Sequence, residues 1–191
     1  MFGRFPIYVE EELSSEEEKW GFVLSKVRSI DSGVASFLEE APDGTLRIIG
    51  PFKARKGYAL VLSSPFPPIF RFLVLNIPTV LKAVVKPGKA YVEILEKKDL
   101  FEKPGLFILK VKRSGVFSIN QLKRDMRIFL GETIDPLFIP ISMKTSKGGL
   151  LVTLKTLNPE TTALVKFSRF VGVGENRKFG CGDVEIYKLI E

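Results

Sequence analysis

A stretch near the carboxyl end of the chain concentrates residue types that can hold a phosphate. Residues 172–182 contain four glycines, the adjacent cations Arg177 and Lys178, and Phe179. Glycine has no Cβ, so a glycine-rich backbone adopts positive φ and lets another backbone or a phosphate come close. The N–H groups of such a turn can converge on an anion, and the two cations add charge. The same composition also suits a tight connection that binds nothing, and both interpretations stay open.

The elements on either side of this stretch run in the order helix, glycines, strand. Asn158 and Pro159 are typical of the N-cap and first position of a helix, and apolar residues follow at helical spacing up to Val171. Residues 183–190 then alternate polar and apolar side chains, which predicts a half-buried strand. This order differs from that of dinucleotide-binding and Walker loops, which run from a strand through the loop into a helix.

The glycine spacing resembles that of a known protein family. Gly172, Gly174, Gly180 and Gly182 fall on the pattern G-x-G, a short spacer, then G-apolar-G, with Cys181 in the apolar position. This pattern joins the last two elements of the CRISPR-associated repeat-processing RNA endonucleases of the RAMP superfamily. A weaker match is the segment 60–65, which resembles the family's strand that ends in Ser-Ser-Pro before a helix.

The resemblance implies a partner and a function. It implies binding of CRISPR RNA, either a repeat with metal-independent processing or, as the alternative, guide RNA held by a non-cleaving RAMP subunit of an effector complex. Related RAMP proteins that bind RNA without cutting it share the glycine pattern. If the protein is a non-cleaving RAMP subunit, the resemblance implies other CRISPR effector subunits as its protein partners.

Histidine is absent from the chain. This excludes an imidazole general base, a Ser–His or Cys–His nucleophile pair, and an imidazole metal ligand. The single cysteine, Cys181, excludes an internal disulfide. Many of the acidic residues crowd into residues 10–18, where they fit a helix start and a solvated face better than a two-metal site. We therefore expect no metal site and no cofactor.

Four residues are candidates for catalysis through the resemblance. Family members that cut RNA use the neighbouring 2′-hydroxyl as nucleophile and typically a histidine, which this chain lacks. Members without the histidine rely on lysine, arginine and tyrosine, which can orient the hydroxyl and stabilise charge on the phosphorane. The resemblance assigns these roles to Lys26 and Arg28 of the first predicted helix and to Lys53 and Tyr58 further on. A phosphate contact or a surface charge is the more common role for each.

Positive charge is concentrated in the later part of the chain. The net charge is +7; residues 1–50 carry ten acids and five bases, and the rest carries twelve acids and twenty-four bases. The two parts are therefore −5 and +12, a distribution that suits contact with a polyanion. One alternative is a protein with a generally basic surface. Another is a protein-interaction or small-ligand module whose basic charge is incidental. The predicted RNA contacts are the four glycines with Arg177 and Lys178, and also Lys110, Lys112, Lys144 and Lys147.

The periodicity predicts an α+β protein of two tandem ferredoxin-like (RRM-like) domains with antiparallel sheets, over residues 1–86 and 87–191. Residues 69–77 fit either a short helix stopped by Pro78 or a buried strand. The last strand of the first domain could come from residues 81–85 or 90–95. The other predicted strands are 5–9, 46–49, 58–62, 107–113, 138–143, 150–157 and 183–190, and the other helices are 16–28, 33–40, 118–130 and one from Asn158.

Nothing in the chain predicts a membrane segment. No run approaches the about 20 apolar residues of a membrane span. The amino terminus turns acidic at once, which is unlike a signal peptide. We therefore expect a cytoplasmic protein.

Overall fold

The computed structural model describes residues 1–55, 57–80, 92–113 and 116–189. The chain divides into two compact units. Unit 1 consists of Met1–Ile94 together with Lys178–Gly180, and unit 2 consists of Leu95–Arg177 together with Cys181–Glu191. The predicted domain boundary between residues 86 and 87 lies outside the described residues.

Unit 1 has the β-α-β-β-α-β order of a ferredoxin-like domain, with one additional helix. Its four-stranded sheet has the order β2-β3-β1-β4, and β3 pairs antiparallel with both β1 and β2. The elements are β1 (Phe2–Val9), α1 (Glu16–Ile30), α2 (Ser32–Glu40), β2 (Arg47–Lys53), β3 (Tyr58–Ser64), α3 (Pro67–Val80) and β4 (Glu93–Leu95).

The helix α1 begins where the sequence predicts, because capping residues precede and open it. The Ser15 hydroxyl accepts a hydrogen bond from the Glu18 N–H, and the Glu18 carboxylate accepts one from the Ser15 N–H. This reciprocal capping box satisfies two N–H groups that the first helical turn leaves without partners. The negative charges of residues 16–18 also lie at the positive end of the helix dipole.

Residues 67–80 form a helix, so the strand interpretation of this segment is wrong. Phe70, Leu73 and Ile77 are fully buried at helical spacing, and this burial favours the helix. The predicted stop at Pro78 is also wrong, because α3 continues through Pro78 to Val80. Pro78 therefore lies inside the described helix, although it cannot donate a backbone hydrogen bond. The last strand of the first sheet comes from the 90–95 candidate, and the 81–85 candidate lies outside the described residues.

Unit 2 repeats the same order, and its sheet is arranged β6-β7-β5-β8. All three of its strand pairs are antiparallel. The tandem α+β architecture is therefore confirmed. Its elements are β5 (Leu106–Lys112), α4 (Ile119–Leu130), β6 (Phe138–Ser146), β7 (Gly149–Thr156), α5 (Pro159–Val171) and β8 (Asp183–Leu189), with short 3-10 helices at Lys97–Leu100 and Arg177–Phe179.

Alternation gives the second sheet one core face and one lysine-bearing face. Phe107, Leu109 and Val111 of β5 are buried, and Lys110 and Lys112 point to the other side, as expected for successive residues of a strand. The predicted strands 138–143 and 150–157 leave too long a turn between them, at residues 144–149. The β6 strand runs to Ser146 and β7 begins at Gly149, because the β6–β7 ladder continues down to the Ser146–Gly149 pair.

None of the helices in the described part of the chain is long and apolar enough to cross a membrane.

Candidate nucleic-acid interface

The glycine loop, residues 172–182, uses its glycines for backbone geometry. Gly172, Gly174, Gly180 and Gly182 all have positive φ, between 66° and 82°. At Gly182 an added Cβ would lie 1.7 Å from the carbonyl oxygen of Val173. The glycines are therefore required by the conformation of the chain itself, independently of any bound phosphate.

The N–H groups of this loop donate largely to protein acceptors. The acceptors include carbonyl oxygens, a side-chain amide and a carboxylate, at donor–acceptor distances of 2.8–3.0 Å. An anion-binding turn would direct several N–H groups at one external anion. Five N–H groups of this loop already donate to the protein, so they are not available to bind an anion. The donors are the N–H groups of Gly172, Val173, Gly174, Lys178 and Gly182.

Two side chains of α4 hold the glycine loop. The Gln121 amide donates to the Gly174 carbonyl oxygen at 2.8 Å and accepts from the Gly174 N–H at 2.9 Å. One turn further, the Asp125 carboxylate accepts from the Arg177 guanidinium at 2.5 Å. The spacing i, i+4 puts both side chains on the same face of the helix. Sequence reasoning missed both residues, although Asp125 is the one acid in an otherwise basic helix.

The adjacent cations of the loop have different environments. Arg177 is 3% exposed and paired with Asp125, and this burial argues against the predicted RNA contact through Arg177. Lys178 belongs to unit 1, where its ammonium lies 5.7 Å from the ring centroid of Trp20 and 5.0 Å from that of Phe179. The two rings meet edge to face at 6.5 Å. Among the described residues no carboxylate pairs with the Lys178 ammonium.

Three of the predicted lysines share one face of the second sheet. Lys110 of β5 and Lys144 of β6 both lie opposite Leu151 of β7 in the strand register, and Lys112 follows Lys110 on the same face. Lys147 is exposed in the β6–β7 turn. The structure therefore brings Lys110, Lys112 and Lys144 together as an exposed basic surface.

Glu185 of β8 partly neutralises this surface. It accepts a hydrogen bond from Lys112 and lies 3.9 Å from the Lys110 ammonium. The hydrogen bond from Lys112 is the main cause that lowers the pKa of Glu185. The Tyr187 hydroxyl also donates to Glu185, at 3.1 Å, which raises the pKa of Tyr187.

The four catalytic candidates fall into two separate groups. Tyr58 lies opposite Lys53 in the β2–β3 ladder, and its hydroxyl donates to Glu12 at 2.8 Å, which raises the pKa of Tyr58. Arg28 lies in the last turn of α1 and pairs with Glu39 of α2 at 2.7 Å. Glu12 precedes α1, a helix of 15 residues that spans about 22 Å.

One catalytic centre cannot contain all four residues, because the two groups lie at opposite ends of α1. Lys26 is placed with Arg28, and its ammonium lies 5.5 Å from the ring centroid of Phe22. In the part of the chain that the structure describes, no group of three or more His, Cys, Asp and Glu residues is arranged to hold a metal ion.

The substitution Gly182→Ala should destabilise the protein by at least about 3 kcal/mol. The added methyl group would meet the Val173 carbonyl, and the φ of +66° is unfavourable for alanine. Gly21→Ala is the matched control, because a Cβ there meets nothing within 4 Å in the interior of α1. It should stabilise the protein by about 0.5–1 kcal/mol. Urea unfolding measures both changes; equal stability of the two variants would contradict this account of the loop.

The substitution Glu185→Gln should reduce stability in a pH-dependent way. The folded-state pKa of Glu185 is lowered, so its contribution is present above the unfolded value near 4.5 and is lost as the pH falls through the folded value. The pair with Lys112 is about one-third exposed on both sides, so the effect at pH 7 should stay below about 1 kcal/mol. Unfolding of wild type and variant at pH 7 and at acid pH tests this. A difference that persists after protonation would show that packing, not charge, is responsible.

Solved structures of Cas6 and RAMP proteins are similar to this chain over nearly its whole length, although no family model and no curated protein matches its sequence. A Cas6 product complex is 15% identical with a TM-score of 0.70, over 97% of this chain and 99% of that one. The Cas6 of Thermus thermophilus is 12% identical with a TM-score of 0.55, over 98% and 99%. A RAMP protein that binds different RNA substrates is 17% identical with a TM-score of 0.54, over 97% and 98%. The chain therefore has the fold of Cas6 and RAMP proteins, two ferredoxin-like units in tandem.

Proposed function

We propose that this protein binds CRISPR RNA, either a repeat or a guide RNA. The observation that carries the proposal is the likeness in fold, over 97% of the chain, to a Cas6 product complex and to a RAMP protein that binds RNA substrates. The chain's own residues support it, because the basic sequence after residue 50 supplies exposed lysines on elements of that fold. Other CRISPR effector subunits are further partners in the non-cleaving version of this proposal.

The lysines without a described carboxylate partner are the strongest phosphate contacts. Lys178 at the glycine loop, Lys144 on β6 and Lys147 in the hairpin turn have this property. Lys110 and Lys112 can also contribute, but RNA must compete with Glu185 for them. Phosphate contacts of this kind give affinity that does not depend on base sequence. The four loop glycines and Arg177 serve this site by shaping the loop.

Metal-independent processing of the repeat is the finer proposal. A 2′-hydroxyl would lose its proton and attack the adjacent phosphorus, the bond to the 5′-oxygen would break, and that oxygen would take up a proton. Lys53 and Tyr58 are the candidates for this step, and their positions opposite each other in the β2–β3 ladder support this choice. A cation and a hydroxyl donor can stabilise the charge that develops on the phosphorane. The alternative is a RAMP subunit that holds guide RNA without cutting it.

The substitution Lys178→Ala should weaken RNA binding and lower the slope of log affinity against log salt by about 1, since one phosphate contact is lost. The loss should be similar for unrelated RNA sequences, because phosphates carry no base identity. Lys98→Ala is the matched control: it removes the same charge from a side chain that is 78% exposed and paired with Glu96. Fluorescence anisotropy at several salt concentrations measures both variants.

Two results would overturn this assignment. If wild-type protein binds RNA with no dependence on salt, phosphate contacts do not carry the affinity. If Lys98→Ala weakens binding as much as Lys178→Ala, the effect is one of total charge and the glycine loop has no special role.

If the protein processes RNA, cleavage should continue in EDTA and leave a 2′,3′-cyclic phosphate upstream and a 5′-hydroxyl downstream. Lysine and tyrosine are mostly protonated at neutral pH, with reference pKa values of about 10, so turnover should be slow and should increase with pH. A 2′-deoxy nucleotide 5′ of the cut should abolish cleavage because it removes the nucleophile. The assay uses labelled repeat RNA with and without EDTA. Loss of activity on chelation would refute the mechanism, and intact binding without any cleavage would identify the non-cleaving form.

A further inference from the structure

We propose that Tyr187 of β8 stacks on an unpaired RNA base, so that the lysine-bearing face of the second sheet holds single-stranded RNA. The inference rests on the proposed function and adds two things to it: the class of RNA, and a residue that contacts a base rather than a phosphate. Every residue that the inference needs belongs to unit 2, so it depends on the geometry of one sheet alone.

The strand register places Tyr187 beside the lysines of this face. Tyr187 lies opposite Ile108 in the β5–β8 ladder, and the next pair on the same face is Glu185 opposite Lys110. Successive residues on one face of a strand are about 7 Å apart, which is comparable to the distance between a phosphate and its own base. A nucleotide whose phosphate binds the Lys110 ammonium is therefore placed to lay its base over Tyr187.

The Tyr187 ring is open to solvent and held in one orientation. The side chain is 52% exposed, and β8 is an edge strand that pairs only with β5. The Tyr187 hydroxyl donates to the Glu185 carboxylate at 3.1 Å, so the ring is directed along β8 toward the lysines. A side chain that is already oriented loses less conformational freedom when a ligand binds. Any of the four bases can cover such a ring, because every base has a π-face.

Tyr187 is the one aromatic residue on the lysine-bearing face of the described second sheet. Phe107 of β5 and Phe138 of β6 lie on the core face, opposite Leu154 and Thr156 of β7. The lysines of this face can contact the phosphates of any RNA, paired or unpaired. Stacking on a protein ring requires a base that is free of its own helix. Tyr187 is therefore the residue of this face that distinguishes single-stranded from double-stranded RNA.

Tyr187→Leu tests the stacking contact. It removes the ring, keeps an apolar side chain at an exposed strand position and changes no charge. Affinity for single-stranded RNA should fall by about fivefold to 100-fold, the effect of one lost stack between a base and an aromatic side chain. The slope of log affinity against log salt should stay the same, because no phosphate contact is lost.

Two control variants separate stacking from other effects. Tyr187→Phe keeps the ring but removes the hydrogen bond to Glu185, and it should bind single-stranded RNA like wild type. Phe37→Leu removes an aromatic side chain that is 43% exposed from α2, an element that carries none of the predicted RNA contacts. It should leave the affinity unchanged.

Fluorescence anisotropy with full-length protein measures binding of two RNAs at several salt concentrations. One is a labelled strand without self-complementarity, and the other is the same strand annealed to its complement. The bases of the duplex are stacked on each other and are not accessible to Tyr187. Tyr187→Leu and wild type should therefore bind the duplex equally, and the preference of wild type for the single strand should be lost in the variant.

The outcomes distinguish the inference from the proposed function. Weaker binding of the single strand by Tyr187→Leu alone, with an unchanged salt slope and unchanged duplex binding, supports the inference. If Tyr187→Leu binds the single strand like wild type, if Tyr187→Phe loses as much affinity, or if the duplex is affected equally, the inference fails while the proposed function stands. A reduced salt slope in Tyr187→Leu would show that the lysine contacts were disturbed, and it would overturn the inference too. If wild-type protein binds neither RNA, the proposed function fails and the inference fails with it.

Discussion

The contact between the backbones of Gly182 and Val173 determines how the end of the chain is built into the second sheet. The Gly182 carbonyl accepts from the Val173 N–H, and the Gly182 N–H donates to the carbonyl oxygen of Lys112. One residue without a Cβ thus connects the end of α5, the end of β5 and the start of β8. A shift of one residue in β8 would turn Glu185 and Tyr187 toward the core, so the arrangement of the lysine-bearing face also depends on this contact.

The two adjacent cations of the glycine loop have different surroundings. Arg177 lies in a buried ion pair with Asp125, and Lys178 has no described carboxylate partner and lies over two aromatic rings. Guanidinium groups are better suited than ammonium groups to a buried, directional pair, whereas an ammonium is a compact point charge suited to a phosphate. The order of the two cations therefore supports the proposal that Lys178, and not Arg177, is the phosphate contact of this loop.

The fold could be predicted because its signals are local. Alternation gives the strands, and the caps at Ser15 and Asn158 give the starts of α1 and α5. The candidate site was predictable only in part. The partners Gln121 and Asp125 lie 53 and 52 residues from the loop residues that they hold, and no local pattern relates such distant positions. The burial of Arg177 was missed for the same reason, because a charged residue is expected at the surface unless its partner is known.

The distribution of carboxylates favours binding over cleavage in this chain. Tyr58 and Arg28, which the family resemblance assigns to cleavage, are paired with Glu12 and Glu39, so RNA would have to displace a carboxylate to use them. The hydrogen bond to Glu12 also raises the pKa of Tyr58, so less of Tyr58 is deprotonated and available as a base at neutral pH. By contrast, Lys178 has no such competitor among the described residues. Cleavage that uses Tyr58 would therefore require its hydrogen bond to Glu12 to break, whereas the proposed phosphate contact through Lys178 displaces no described carboxylate.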